Sequence, residues 1–216
     1  MTTERMRTWE SLFKRALTIL DGAVAAGMPD DWSFGGGTVL MLKYNHRFSK
    51  DVDIFVPDAQ CLGFLSPRIN DAAEVDTRAY DEQANSLKLY YKEGEVDFVA
   101  ATSLTESPFE AMALMGRMVN VETPLEIVAK KLRFRAADFK ARDLFDLALV
   151  LEREPSSLPA LSPLIQEQKS SLSKRFLQAD TALREDFEAI DVLDYNPTFE
   201  ACRTRLEEVV GIRLQS

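Results

Sequence analysis

The chain has 216 residues, of which 46% are hydrophobic and 28% are charged. This length and composition are typical of a folded globular protein that has one domain with a core and a smaller helical appendage. The formal net charge of −9 excludes a protein that coats nucleic acid through a general basic surface, so any polyanion has to be bound locally.

The sequence indicates a cytoplasmic protein without a membrane partner. No stretch approaches the roughly 18 apolar residues of a membrane span, and the first ten residues lack the apolar core of a signal peptide. Cys61 and Cys202 are not part of a C-x-x-C pattern, so neither a disulfide framework nor a zinc site is predicted.

The first predicted elements are a helix, a short strand and a glycine turn. Apolar residues recur at steps of three and four over residues 4–26, which predicts an amphipathic helix. A strand over residues 32–34 leads into three consecutive glycines at 35–37, and a helix is predicted over 38–44. Glycine lets the backbone approach a ligand closely, and the N–H groups at a helix start favour an anion such as phosphate.

Two aspartates open the next predicted strand, residues 51–56. Asp51 and Asp53 follow the last glycine, Gly37, after a spacer of thirteen residues. Residues i and i+2 of a strand face the same way about 7 Å apart, so both carboxylates can reach one divalent metal ion. A D-x-D triplet alone is common on protein surfaces, but its combination with a glycine turn favours phosphoryl or nucleotidyl transfer.

The middle of the chain predicts short elements. Residues 58–74 are helical in character but contain Pro67, so two short helices or a kink are expected. Residues 87–91 and 95–100 alternate as strands, and residues 92–94 join them as a hairpin. Asp97 lies in the second of these strands, and its simplest interpretation is a solvent-facing side chain.

The remainder of the chain predicts helices. Thr123 and Glu126 form a capping box with Pro124 at the first helical position. The apolar pattern loses phase near residues 136–140, which favours two helices over one. Helices are also expected over 158–180 and 196–210, with a further helix start at Ser162 and Pro163. We therefore expect a core domain over residues 1–122 and a helical region over 123–216.

Residues 130–142 are the only strongly basic segment, with six basic residues against one aspartate. Lys131, Arg135, Asp138 and Arg142 are spaced by four, three and four residues, so a continuous helix would carry them as one stripe. Such a stripe is usually a solvated helix face. The functional interpretation is a cationic wall for a triphosphate.

A family resemblance is carried by the glycine turn and the paired aspartates. A GG[S/T] turn, a short helix and a D-x-D strand resemble the signature of the DNA polymerase β nucleotidyltransferase superfamily. The string GGGTVLMLKYNHRFSKDVDIF is similar to its AbiEii/AbiGii toxin branch, in which an H-R-x-S-x-D-x-D pattern recurs. Matching residues are His46, Arg47, Ser49, Asp51 and Asp53. A KL dipeptide and an R-D-x-x-D motif of that branch are matched by Lys131-Leu132 and by Arg142, Asp143 and Asp146.

The resemblance implies an α/β (α+β) fold, in which a polymerase β-type core with a small mixed sheet is flanked by helices and followed by a C-terminal helical region. It implies a Mg²⁺ site, most simply for two metal ions and open to Mn²⁺, formed by Asp51, Asp53 and Asp97. The residues implied in catalysis are Asp51, Asp53, Asp97, Lys131 and Asp143. Those implied in nucleotide binding are Gly36, Gly37, Thr38, His46, Arg47, Ser49, Lys131, Arg142 and Asp146.

Two of these assignments have equally simple structural interpretations. Asp146 can pair with Arg142 at i+4 on a helix. His46, the only histidine, can form a structural hydrogen bond instead of touching phosphate.

The implied activity is transfer of NMP from an NTP to an acceptor hydroxyl. The resemblance also implies a bacterial toxin that is neutralised by a cognate antitoxin. In some members of the family, the target of the toxin is the acceptor end of tRNA. The acidity of the chain leaves the acceptor open among RNA, a protein hydroxyl and a small alcohol. The alternative is a catalytically inactive relative that binds nucleotide or a partner protein.

Overall fold

The computed structural model describes residues 6–77 and 79–211, so residues 4 and 5 of the first predicted helix lie outside the described residues. The chain divides into two compact units. The first runs to Leu42 and continues with Ser49–Ser103 and Phe109–Glu122. The second consists of Lys43–Phe48, Leu104–Pro108 and the chain from Thr123 onwards.

The first unit is built on a mixed sheet with the strand order β3-β4-β5-β2-β1-β7-β6. β1 pairs antiparallel with β2 and parallel with β7, and β2 pairs parallel with β5. The other neighbours are antiparallel. The strands are β1 (Ser33–Gly35), β2 (Val52–Val56), β3 (Tyr80–Gln83), β4 (Ser86–Tyr90), β5 (Glu95–Ala100), β6 (Phe109–Leu114) and β7 (Arg117–Glu122).

One face of this sheet is buried because apolar residues alternate along its central strands. Val52, Ile54 and Val56 of β2 are buried, whereas Asp53 between them is half-buried on the opposite face. Helix α1 (Thr8–Ala25) packs on β2 and β5. Its Phe13 stacks on Phe34 of β1, with 4.6 Å between ring centroids. The opposite face of the sheet is therefore left for polar side chains.

Three short helices complete the first unit's elements. α2 (Gly36–Tyr44) begins two residues earlier than predicted, within the glycine turn itself. α3 (Gln60–Leu65) and α4 (Asp71–Asp76) are separated at Pro67, as predicted. The predicted β4–β5 hairpin is also confirmed.

Four helices belong to the second unit: α5 (Pro124–Arg135), α6 (Ala141–Arg153), α7 (Leu158–Glu188) and α8 (Phe199–Val210). Thr123 caps α5 by accepting a hydrogen bond from the Glu126 N–H at 3.3 Å, but the predicted capping box is incomplete, because the Thr123 N–H donates to the Pro108 carbonyl instead of the Glu126 carboxylate. A 3₁₀ turn over Ala136–Asp138 separates α5 from α6, which confirms the predicted break. The stripe from Lys131 to Arg142 is therefore not continuous.

The predicted helix start at Ser162 and Pro163 is wrong. α7 already begins at Leu158, and Pro163 lies inside it. Proline removes one backbone hydrogen bond, but the helix buries an apolar stripe that runs through this position and includes Leu161, Ile165 and Leu172. That burial outweighs the missing hydrogen bond.

Two short segments join the second unit through hydrogen bonds. In residues 43–48, the His46 carbonyl accepts from the Leu193 N–H at 2.9 Å, and the Phe48 N–H donates to the Asp191 carbonyl at 2.8 Å. In residues 104–108, the N–H groups of Leu104 and Thr105 donate to the buried Glu126 carboxylate at 3.0 Å. His46 and Arg47 are thereby fixed in the second unit.

The α/β (α+β) class, with a mixed sheet, flanking helices and C-terminal helices, is confirmed. The sheet has strands beyond the four that the sequence predicts. Within the described ranges, no helix combines the length and apolar character needed to cross a membrane.

Candidate active site

The glycine turn and Asp53 lie in direct contact. The backbone of Gly36 has a φ of 75°, in the left-handed region that favours glycine. A Cβ at Gly36 would overlap the Oδ2 atom of Asp53. Asp53 can thus lie against the start of α2 only because residue 36 has no side chain.

Asp51 is held at the start of β2 by the backbone of β5. Its Oδ1 atom accepts a hydrogen bond from the Glu95 N–H at 3.1 Å. A Cβ at Gly94 would lie 2.9 Å from the same oxygen, so this glycine makes room for the carboxylate. Asp53 lies within β2 on the side opposite the buried valines and isoleucine, and Asp51 immediately precedes the strand.

Asp97 lies beside Asp53 in the sheet. The parallel register of β2 and β5 pairs Asp53 with Asp97, which places both side chains on the same face. Lys88 of β4 is the antiparallel partner of Asp97, and its Nζ atom lies 3.2 Å from Asp97 Oδ2. The same ammonium is 2.8 Å from Glu95 Oε2. The interpretation of Asp97 as a simple solvent-facing residue therefore omits an ion pair.

The side chains of Thr38 and Ser49 bind each other and the chain near Asp51. The buried Thr38 hydroxyl donates to the Asp51 carbonyl at 2.6 Å and lies 3.1 Å from the Ser49 hydroxyl. These contacts connect α2 to the residues that precede β2. The hydroxyl of Thr38 therefore orients Asp51, and the turn's contribution to anion binding is left to its backbone N–H groups.

The donor set of this face suits Mg²⁺. In the described ranges, no group of three or more His, Cys, Asp and Glu side chains is arranged to hold a metal ion. Mg²⁺ is commonly bound by one or two carboxylates together with substrate phosphates and water. The pair Asp51 and Asp53, beside a helix N-terminus that favours phosphate, fits that mode of binding.

A buried cluster of charges in the second unit gathers five of the predicted residues. Asp146 accepts two hydrogen bonds from Arg47, both at 2.7 Å, and one from His46 Nε2 at 2.8 Å. Lys131 Nζ donates to Asp146 and to Asp143, each at 2.7 Å. We call these residues the Asp146 cluster. Its two cations and two carboxylates balance, and the side chains of His46, Asp143 and Asp146 are fully buried.

The opposite charges keep both carboxylates of the cluster ionised. Burial alone would raise the pKa of Asp146, but Arg47, Lys131 and the hydrogen bond from His46 hold it well below the ordinary value. Burial likewise opposes ionisation of Asp143, yet Lys131 and Arg135 lower its pKa. Removing one cation would leave a buried carboxylate without compensation.

His46 is the neutral member of the cluster. Burial lowers the pKa of His46 below its ordinary value of 6.5, and Arg47 and Lys131 add to this, although the hydrogen bond with Asp146 opposes it. Because a carboxylate only accepts, His46 donates through Nε2. Its Nδ1 atom has no hydrogen-bond partner in the described part of the chain. His46 thus forms the hydrogen bond that its structural interpretation expects, and its assignment to nucleotide binding stays a prediction.

Arg142 lies outside this network. Its side chain is exposed, whereas Asp146 is occupied by Arg47, His46 and Lys131. The interpretation that Asp146 pairs with Arg142 is wrong, since the acid faces the buried side of α6 and the arginine faces solvent.

The sequence reasoning did not predict Glu122 or Lys88. Glu122 of β7 is buried, accepts from the Ser33 hydroxyl at 3.1 Å and occupies the space that a Cβ at Gly35 would need. The adjacent glycines Gly35 and Gly36 are thus each in contact with a carboxylate. Consecutive glycines in the sequence indicate that other groups approach the backbone closely at this turn. Because β7 was not predicted, Glu122 could not be assigned as the group next to Gly35.

Comparison with known proteins identifies the family. Residues 18–208 match the family described as nucleotidyl transferase AbiEii toxin, type IV toxin–antitoxin system. The chain belongs to the AbiEii toxin family. It is therefore a nucleotidyltransferase of the kind that the glycine turn and D-x-D strand indicated. No curated protein matches the sequence.

Two solved structures support the fold assignment. MenT4, a nucleotidyltransferase toxin from Mycobacterium tuberculosis H37Rv, is 18% identical with a TM-score of 0.53, over 97% of this chain and 84% of that chain. JHP933 from Helicobacter pylori is 18% identical with a TM-score of 0.50, over 98% and 92%. At this identity the likeness establishes that the AbiEii family chain shares their fold.

The Asp146 cluster makes a prediction about Lys131 in this AbiEii family protein. Lys131→Met should lower the free energy of unfolding by about 3–5 kcal/mol, because it leaves two buried carboxylates facing one cation. Urea unfolding followed by circular dichroism measures this, with the exposed Lys174→Met as control. Loss of activity with unchanged stability would instead assign Lys131 directly to the nucleotide.

His46 predicts a pH dependence of stability. The pKa of His46 is depressed in the folded state, so the unfolded chain binds more protons below pH 6.5. The contribution of His46 to the free energy of unfolding is therefore fully present above that pH and is lost as the pH falls below it. The slope is at most about 1.4 kcal/mol per pH unit. His46→Gln should flatten the curve between pH 5 and 7. An unchanged slope would show that His46 does not titrate differently in the two states.

Proposed function

We propose that this protein transfers NMP from an NTP to an acceptor hydroxyl in a Mg²⁺-dependent reaction, and that the acceptor is an RNA such as tRNA. The observation that carries the proposal is the contact between Asp53 and Gly36, which sets a carboxylate against the N-terminus of α2. Membership of the AbiEii family supports the transfer reaction and the toxin role, and a cognate antitoxin is the partner that follows from it.

Asp51, Asp53 and Asp97 are the proposed metal ligands. The described residues do not hold the three as one preformed group, and Asp97 pairs with Lys88, so the phosphates of the nucleotide would complete the site. Mg²⁺, or Mn²⁺ in its place, would bind as one ion or two and stabilise the charge on the attacking and leaving oxygens. The backbone N–H groups of Gly36 and Gly37 hold the phosphates of the nucleotide. Asp97 accepts the proton of the acceptor hydroxyl, whose oxygen attacks the α-phosphorus as pyrophosphate leaves.

The remaining predicted residues take three roles in this proposal. Thr38 and Ser49 orient the carboxylate pair through their contacts with the chain at Asp51. Arg142 is exposed and neutralises phosphate charge. The Asp146 cluster, which contains His46, Arg47, Lys131 and Asp143, serves nucleotide binding by holding the helices of the second unit rigid.

Removal of the Asp53 carboxylate tests the reaction. The wild type is incubated with Mg²⁺, total tRNA and each α-labelled NTP in turn, and it should label RNA. Asp53→Asn should reduce labelling by about 100-fold or more, because the variant still folds but no longer helps to stabilise the charge that develops during transfer. Asp81→Asn, on an exposed edge strand of the same sheet, is the control. Equal labelling by both variants would remove Asp53 from the site.

The same assay distinguishes the catalytically inactive alternative. An inactive relative would be protected against heat by NTP with or without Mg²⁺, and no variant would transfer label. Protection by NTP that requires Mg²⁺ and Asp53, together with labelling of RNA, supports the proposed reaction.

Gly36→Ala tests the geometry rather than the charge. The added Cβ requires the Asp53 carboxylate to move, and φ of 75° is strained for alanine. Transfer should fall nearly as far as in Asp53→Asn. Gly63→Ala is the matched control, because a Cβ there meets no atom within 4 Å. Full activity of Gly36→Ala would show that the close contact is dispensable.

A further inference from the structure

The end of α5 presents an aromatic ring among basic side chains. Phe134 is 57% exposed in the last turn of α5, whereas its neighbours Leu132 and Ala136 are buried. Arg133 and Arg135 flank it, and successive helical residues point about 100° apart. The two arginines therefore project to either side of the ring on the helix surface.

Further cations lie at the connection between α5 and α6. Arg135 is 3.7 Å from Asp143, and the Lys140 N–H donates to the same carboxylate at 3.1 Å, so both residues meet at the start of α6. Arg175 of α7 donates to the Phe139 carbonyl at 2.9 Å. We call Arg133, Phe134, Arg135, Lys140 and Arg175 the α5–α6 elbow.

The elbow carries charge that the protein does not neutralise fully. Arg133 pairs with Glu167 of α7, and Arg135 shares Asp143 with Lys131. Among the described residues, Lys140 and Arg175 form no ion pair with a carboxylate within 4 Å. In a chain with a net charge of −9, an exposed group of cations favours a polyanionic ligand at this place and disfavours it elsewhere.

The ring specifies which polyanion fits. Proteins that hold single-stranded nucleic acid combine a cationic surface along the phosphates with aromatic side chains on which unpaired bases stack. A duplex hides its bases from such a ring. A single exposed ring between arginines suits one unpaired base.

We propose that the α5–α6 elbow is a binding surface for single-stranded RNA, in which an unpaired base stacks on Phe134 while Lys140 and the arginines contact the phosphates on either side. This proposal rests on the proposed function only in taking RNA to be the acceptor. It assigns the docking of that RNA to residues other than the proposed metal ligands Asp51, Asp53 and Asp97.

The test measures binding without catalysis. Fluorescence anisotropy with a labelled, unstructured RNA of about 12 nucleotides is recorded in EDTA and without NTP. Phe134→Ala should weaken binding by about 5- to 100-fold and leave the salt dependence unchanged, because stacking is lost and no charge is removed. Lys140→Gln should lower the slope of log affinity against log salt by about 0.7. Met118→Ala, 64% exposed in the first unit, and the exposed Arg153→Gln are the controls.

The outcomes separate this proposal from the reaction. Binding by Phe134→Ala equal to that of wild type, or binding of wild type to phosphatidylglycerol vesicles but not to RNA, overturns the elbow as an RNA surface even if RNA is labelled in the transfer assay. A loss of binding in Phe134→Ala that is absent in Asp53→Asn supports it. In that case a failure of wild type to transfer label would refute the reaction and leave the RNA surface standing.

Discussion

The candidate site depends on a missing side chain. Because Gly36 has no Cβ, the Asp53 carboxylate lies against the first residue of α2, where the N–H groups of a helix start favour negative charge. A nucleotide phosphate would be drawn to the same N–H groups. In the proposed function, a divalent cation between the carboxylate and the phosphate offsets the repulsion of two anions at one helix start.

The Asp146 cluster shows a second way in which a motif can matter. Its residues come from the segment 43–48, from α5 and from α6, and they converge on one fully buried carboxylate. A balanced buried cluster adds little net stability over an apolar core, but loss of a single member is costly. Residues that look catalytic in a sequence pattern can therefore be required because they fix three parts of the chain in one arrangement.

Local signals predicted the elements that local chemistry determines. The glycine turn, the alternation in β2, the N-cap at Thr123 and the break at Pro67 all act within a few residues. β3 and β6 could not be predicted in this way. β3 is polar and exposed, and β6 reads FEAMAL, rich in helix-forming residues without alternation. Both are edge strands whose conformation is set by pairing with a neighbour.

The basic segment 130–142 shows why charge counted along a sequence does not locate a ligand. Lys130 is buried and lies 3.4 Å from Glu126, and Lys131 is held by the Asp146 cluster, so neither is displayed to solvent. The helix break at Ala136 then sends the later cations to the elbow. In the proposed function, backbone N–H groups and a metal ion hold the nucleotide's phosphates, which need no lysine. The cations of the α5–α6 elbow are not used for the nucleotide in that proposal, and they give an acidic protein a place at which RNA can approach.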